Sequence, residues 1–300
     1  MTMTYHKPVL LDEAIQGLAI HPSGVYVDVT FGGGGHSKAI LDQLDADGKL
    51  YGFDQDSDAQ ANALEDPRFD LIPVNFSFLK QYLRFKGVTQ VHGILADFGV
   101  SSHQFDSDAR GFSTRFEGPL DMRMNTRQEI SAASIVNTYS ESQLVSIFKA
   151  YGEVRNAHKI ASTVVKQRED QSFHTTKQLR DLVAGLVPER FLNKILAQVF
   201  QAIRIEVNQE LEVLKQFLEQ SAEVLIPGGR LVCISYHSLE DRLVKRFIRE
   251  GQFEGTAAVD FYGNKECPFK KVGGLVVPDE EEIAINNRAR SAKMRIAKKL

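Results

Sequence analysis

A chain of 300 residues with 43% apolar and 25% charged side chains is long enough for one large α/β unit or a core with an added module, and its composition excludes an intrinsically disordered protein. A net charge of −3 argues against a surface that grips nucleic acid everywhere. The two cysteines, Cys233 and Cys267, lack CxxC spacing and a neighbouring His pair, so neither a disulfide framework nor a metal site is expected, and Cys233 reads as a buried strand residue.

Met1 to His6 lack a basic stretch followed by an apolar run, and no run of 18 apolar residues occurs, so the expectation is a cytoplasmic protein without a membrane span. Val25–Val29 alternates β-branched residues and stops at Gly32–Gly35, as a strand entering a tight turn would. The pattern then predicts a helix over Ser37–Leu44, a strand over Leu50–Asp54, a helix over Asp56–Leu64, a strand over Phe69–Val74, a helix over Phe76–Phe85 and a strand over Val91–Asp97. Strands alternating with helices imply a parallel sheet with right-handed crossovers. The rhythm breaks after Asp97. Residues 98–130 are rich in Gly, Ser, Asp and Arg, and Ser131–Phe200 shows helical spacing without a clear strand, which predicts an inserted helical module. An amphipathic helix from about Asn208 to Leu225 resumes the pattern, Pro227-Gly228-Gly229 closes it, and Arg230–Ser235 reads as another apolar strand. A further helix is expected from Ser238, with Asp241 completing a capping box. The end of the chain, with Arg288, Arg290, Lys293, Arg295, Lys298 and Lys299 and no acid, suits either an edge that meets an anionic partner or a solvated tail.

Two constellations carry chemistry. Asp28 to Ser37 places four glycines between the first strand and the first helix, where a doubly wound sheet binds its nucleotide: glycine lets the backbone pass close to a ligand, and the helix start offers unpaired N–H groups. Asp54, 20 residues after Gly34 at the end of the second strand, is the acid such a site uses on ribose hydroxyls. A glycine run alone equally suits a flexible turn. Counted from Gly32, Ser37 stands where a dinucleotide fingerprint has its last glycine, so the ligand stays open at this level. The second constellation, Ala96 to Ser102, ends the fourth strand at the same edge and makes Asp97 a site candidate against the alternative of a turn carboxylate.

Together with Arg110-Gly111-Phe112-Ser113, Gly118 to Met124, Phe200 to Ile205, Ile234 to Arg242 and Asn287 to Ser291, these segments resemble the bacterial ribosomal RNA small subunit methyltransferase H family from about residue 5 to the C-terminus. The resemblance implies an α/β fold: a Rossmann-like, doubly wound methyltransferase sheet with an inserted smaller helical domain. That places a first part of the core in residues 1–110, a substrate-recognition insertion in 111–207 and a second part of the core in 208–300. It also implies S-adenosylmethionine as cofactor, methylation of the exocyclic N4 amine of a cytidine, and small-subunit ribosomal RNA or the assembled subunit as partner, with a homodimer left open. By the same resemblance, the cofactor contacts fall on Gly34, Gly35, His36, Asp54, Phe76, Asp97 and Gln104.

A cytosine amine is a poor nucleophile because its lone pair is delocalised, and an acceptor near its hydrogens would localise it. Asp97 or the backbone carbonyls of Phe98 and Gly99 are the candidates, with Phe98 expected to stack on the base. His36 reads as packing at a helix start beside the cofactor and His237 as the residue before a cap, rather than as general bases. Arg110, Arg115, Arg123 and Arg127 are candidate phosphate contacts, with solvated surface charge as the alternative. A nicotinamide-dependent oxidoreductase shares the strand, loop and acid, and a non-catalytic ribosome-binding factor could keep a degenerate pocket.

Overall fold

A computed structural model describes residues 8–101, 104–105, 108–263 and 265–300; residues 1–6, read above for a leader, and Ser102 of the second motif lie outside them. The chain divides into two compact units, one formed by the chain up to Gly99 and from Leu211 onward, the other by Val100–Glu210. The first unit begins with α1 (Leu11–Leu18), β1 (Val25–Asp28), α2 (Gly35–Leu41), β2 (Lys49–Phe53), β3 (Phe69–Ile72), α3 (Leu79–Phe85) and β4 (Val91–Asp97). Two segments expected as α-helices start differently. Ser57–Asn62 forms a 3₁₀ helix capped by Asp56, and a 3₁₀ turn at Phe76–Phe78 precedes α3. In both, an Asx side chain accepts the N–H two residues on, which favours the tighter turn.

The second unit is helical: α4 (Ala132–Thr138), α5 (Glu141–Ala150), α6 (Ala157–Asp170), α7 (Thr176–Ala184) and α8 (Glu189–Asn208). Ser131, Ser140 and Thr175 cap α4, α5 and α7 with reciprocal capping boxes, which end the loops abruptly. Phe148, Phe173, Phe200, Leu144 and Ile203 meet in its own core. Among the described residues this unit has no strand, only one isolated bridge between Pro119 and Thr175.

The first unit resumes with α9 (Glu210–Val224), β5 (Leu225–Ser235), α10 (Ser238–Glu250), β6 (Phe269–Val276), α11 (Glu280–Ile285) and β7 (Lys293–Lys299). Leu214, Phe217, Leu218, Ser221 and Val224 line the buried face of α9 at helical spacing. The sheet runs in the order β3-β2-β1-β4-β5-β7-β6. The first five strands pair in parallel, and β7 lies antiparallel between β5 and β6. Two cores cover its faces, one around Phe53, Leu79 and Phe217, the other around Tyr26, Ile40 and Met294. The basic C-terminus is therefore not a solvated tail: β7 is an inner strand with Met294 and Ala297 buried. Cys233 is buried in β5, as expected. No helix among the described residues is long and apolar enough to cross a membrane.

Candidate functional site

The carboxyl ends of β1, β2 and β4 converge because the three strands are neighbours in register: Asp28 stands opposite Gly52 and Leu95, and Asp54 and Asp97 follow at the same edge. The glycine turn between β1 and α2 needs its residue type. Gly32 and Gly34 have φ of 51° and 75°, and a Cβ on Gly35 would stand 2.3 Å from Pro8 Cγ. Asp54 ties this turn to β2, its Oδ2 accepting from Gly32 N–H at 2.8 Å and its Oδ1 from Asp56 N–H at 2.8 Å. Asn62 holds the turn from the other side through Gly32 C=O at 3.0 Å.

Asp28, fully buried, accepts the Ser37 hydroxyl at 2.7 Å and the Thr30 N–H at 3.1 Å. The Thr30 hydroxyl in turn accepts the Asp97 N–H at 2.7 Å, joining the ends of β1 and β4. Asp97 Oδ1 accepts the Tyr236 hydroxyl at 2.8 Å, and its Oδ2 lies 3.8 Å from His36 Nδ1. His36 is buried with Nε2 at 3.1 Å from the Val9 carbonyl; a carbonyl only accepts, so Nε2 carries a proton, and Nδ1 is the ring atom that faces Asp97. Burial holds the His36 pKa below its usual value, against the opposing pull of the Asp97 carboxylate.

Burial also pushes Asp28, Asp54 and Asp97 up to about 6 each, and the charge of Asp28 adds to the rise of the other two. Three carboxylates at one edge, none paired with a lysine or arginine among the described residues, form a site suited to a cationic ligand with hydroxyl groups. Each carboxylate oxygen keeps a lone pair after its present bond. Phe76 sits beside them at the end of β3, its ring 5.5 Å from that of Phe217 and 6.2 Å from that of Phe98.

The model of the MraW methylase family matches residues 3–300 of the chain. The chain belongs to the MraW methylase family. A Ribosomal RNA small subunit methyltransferase H of Flavobacterium johnsoniae is 60% identical over 299 residues, covering 100% of this chain and 99% of that one. The protein of the same description from Bacteroides thetaiotaomicron is 54% identical over 298 residues, covering 99% and 98%. Among solved structures, an rRNA methylase from Streptococcus thermophilus aligns over 97% of this chain and 93% of its own at 13% identity with a TM-score of 0.42.

In this MraW methylase the structure brings Gly34, Gly35, His36, Asp54, Phe76 and Asp97 to one sheet edge of the first unit. Gln104 belongs to the second unit, buried, with its side chain accepting from Ser101 N–H at 3.1 Å. Stacking of a base on Phe98 is corrected: the ring is buried between Phe76 and Phe217, so only its backbone carbonyl can serve a substrate. Gly99, with φ of 101°, turns the chain directly after it.

The four candidate arginines, all in the second unit, separate into two kinds. Arg110 is buried and donates to the carbonyls of Arg123 and Met124 at 3.0 and 3.2 Å. Arg123 forks onto Asp121 at 2.9 and 2.7 Å and donates to the carbonyls of Thr126 and Gln128. Both guanidinium groups hold their own loop together, while Arg115 and Arg127 are exposed.

His237 is the N-cap of α10, with Glu240 completing the box, one residue earlier than the Ser238 and Asp241 expected; Asp241 instead pairs with Arg295 of β7. Glu240, buried, accepts from Tyr236 N–H at 2.9 Å and so fixes the backbone that presents the Tyr236 hydroxyl. Sequence reasoning missed Tyr236 as a site residue. The signal was available: it follows β5, which pairs with β4 and ends at the same edge.

Proposed function

We propose that this MraW methylase transfers a methyl group from S-adenosylmethionine to the exocyclic N4 amine of a cytidine in small-subunit ribosomal RNA, in the cytoplasm. The observation that carries the reading is the convergence of Asp28, Asp54 and Asp97 around a glycine turn. The family match and the description of the relatives, both spanning the whole chain, support the same reaction.

The residues fit the donor. Asp54 supplies acceptors for ribose hydroxyls, the turn at Gly34 and Gly35 keeps side chains out of the way, and Phe76 offers an aromatic edge. When bound, the donor supplies an electrophilic methyl on a cationic sulfur, and the uncompensated carboxylates of the edge favour that charge. The protein's work is alignment of the attacking nitrogen, which in well-oriented systems reaches effective molarities of ~10⁵ M or more. Asp97, with the carbonyls of Phe98 and Gly99, accepts the amine hydrogens; as the nitrogen gains its carbon bond it loses one proton to the Asp97 carboxylate. With a pKa of about 6, Asp97 is ionised near neutral pH and ready for that role.

The second unit, with residues 111–207 as the recognition domain, is assigned to the RNA, with Arg115 and Arg127 as phosphate contacts. The nicotinamide reading is disfavoured by the sheet, because the dinucleotide fold is parallel in the order 3-2-1-4-5-6, whereas here an antiparallel strand follows β5. Calorimetry should show binding of S-adenosylmethionine and none of NAD, and labelled methyl should enter small-subunit RNA. Binding of the donor without methyl incorporation would favour a docking factor instead.

A further inference from the structure

β6 and β7 together carry six basic residues, Lys270, Lys271, Lys293, Arg295, Lys298 and Lys299, and no acid. Their register aligns two of these with a cation of β5: Arg230 stands opposite Lys298, and Lys298 stands opposite Lys270. Residues directly opposite in a ladder project to the same face. The next rows on that face are Val232-Ile296-Val272 and Ile234-Met294-Val276, so an apolar floor ends in a transverse row of three cations. Arg295 is neutralised by Asp241 at 2.6 Å, but among the described residues Arg230, Lys270 and Lys298 have no ion-pair partner. Glu13 of α1 lines the same groove as Arg230 without pairing with it. Lys270 and Lys298 are exposed.

Like charges placed directly opposite destabilise a sheet, so the row is not explained by folding. Adjacent strands lie ~4.8 Å apart, which spreads the three backbones over about 10 Å, wide for one small anion and suited to consecutive charges on a polymer. The chain as a whole is acidic, which makes this local excess of positive charge a feature of the sheet's end rather than of the composition.

We propose that the row Arg230-Lys298-Lys270 grips the phosphate backbone of the RNA substrate at a second place on the first unit. Arg230 lies four residues before Ile234, the partner of Asp97, so at ~3.3 Å per residue the row sits about 13 Å back along the sheet from the catalytic edge. It contributes affinity and register, not chemistry. The proposal rests on the reading of RNA as substrate.

The test uses the full-length protein with the double substitution Lys270→Ala and Lys298→Ala, and an unmodified small-subunit ribosomal RNA fragment as the probe. Fluorescence anisotropy across a salt series should show the slope of log K against log salt falling by about 1.4, two contacts at ~0.7 each for single-stranded RNA, with affinity near 0.1 M salt down about tenfold. Calorimetric affinity for S-adenosylmethionine and the thermal midpoint should be unchanged, and KM for RNA should rise with kcat intact. A slope and affinity equal to the parent's overturn the row as an RNA contact. If the variant binds naked RNA normally but loses affinity for assembled small subunits, the row belongs to an acidic protein and the phosphate assignment is overturned. If the parent itself shows no salt-dependent RNA binding, it is the substrate reading that fails, and the inference with it.

Discussion

Replacing Tyr236 by Phe removes one oxygen and with it the donor 2.8 Å from Asp97 Oδ1. A hydrogen bond to a charged group contributes ~1.5–3 kcal/mol. Asp97 keeps part of its side chain in contact with solvent, so water can replace some of the loss and the lower end applies. About 1.5 kcal/mol corresponds to roughly one pKa unit, which moves Asp97 from about 6 to about 7. If the ionised carboxylate takes the amine proton, activity is present above this pKa and lost as pH falls through it. Single-turnover methyl transfer should then drop about fivefold at pH 6, where the ionised fraction falls from about one half to about one tenth, and stay near the parent rate at pH 8.5. An acid limb left where it was, or a loss equal at every pH, would refute the role assigned to the Tyr236–Asp97 pair.

Three further outcomes follow from the same geometry. Gly35→Ala should lower the thermal midpoint by several degrees and weaken binding of S-adenosylmethionine, since overpacking against the rigid Pro8 ring costs ~1–3 kcal/mol. Arg127→Ala should reduce the salt slope of RNA binding by ~0.7, while Arg123→Ala should leave that slope unchanged and destabilise the protein in urea by ~1–3 kcal/mol through the lost fork onto Asp121. Asp28 has a folded-state pKa raised from 3.8 to about 6, so its contribution to stability is present below about pH 4 and lost as pH rises to 6. Asp28→Asn should therefore flatten the fall in unfolding free energy across that window, by at most ~3 kcal/mol, as read by denaturant titration at several pH values.

The parallel half of the sheet was legible because strands buried on both faces read as apolar runs, and the glycine turn after β1 announced the ligand edge. The helices of the inserted unit were legible for a similar reason: their apolar spacing and their Ser and Thr caps agree. β6 and β7 were not. In β6 only Phe269 is buried, and a Gly-Gly pair interrupts it, so no alternation survives. In β7 the buried Met294 and Ala297 sit among cations whose charge dominates the pattern, and only pairing with β5 and β6 reveals an inner strand. Phe98 illustrates the limit at the site itself. An aromatic residue after a catalytic aspartate can face a base or the core, and here the packing of Phe76 and Phe217 decides it. Arg123 is similar: its partner Asp121 is two residues away, yet the fork depends on the turn that brings them side by side.

If the carboxylate-lined edge of the first unit holds a methyl donor beside a cytosine, the methyl group must arrive on that base's exocyclic nitrogen. Mass mapping of small-subunit ribosomal RNA, after incubation of unmodified subunits with the protein and labelled S-adenosylmethionine, tests it most directly. Label is expected on the N4 amine of a single cytidine and is absent with Asp97→Ala. Label on a ring carbon or a ribose oxygen, or none at all, would contradict it.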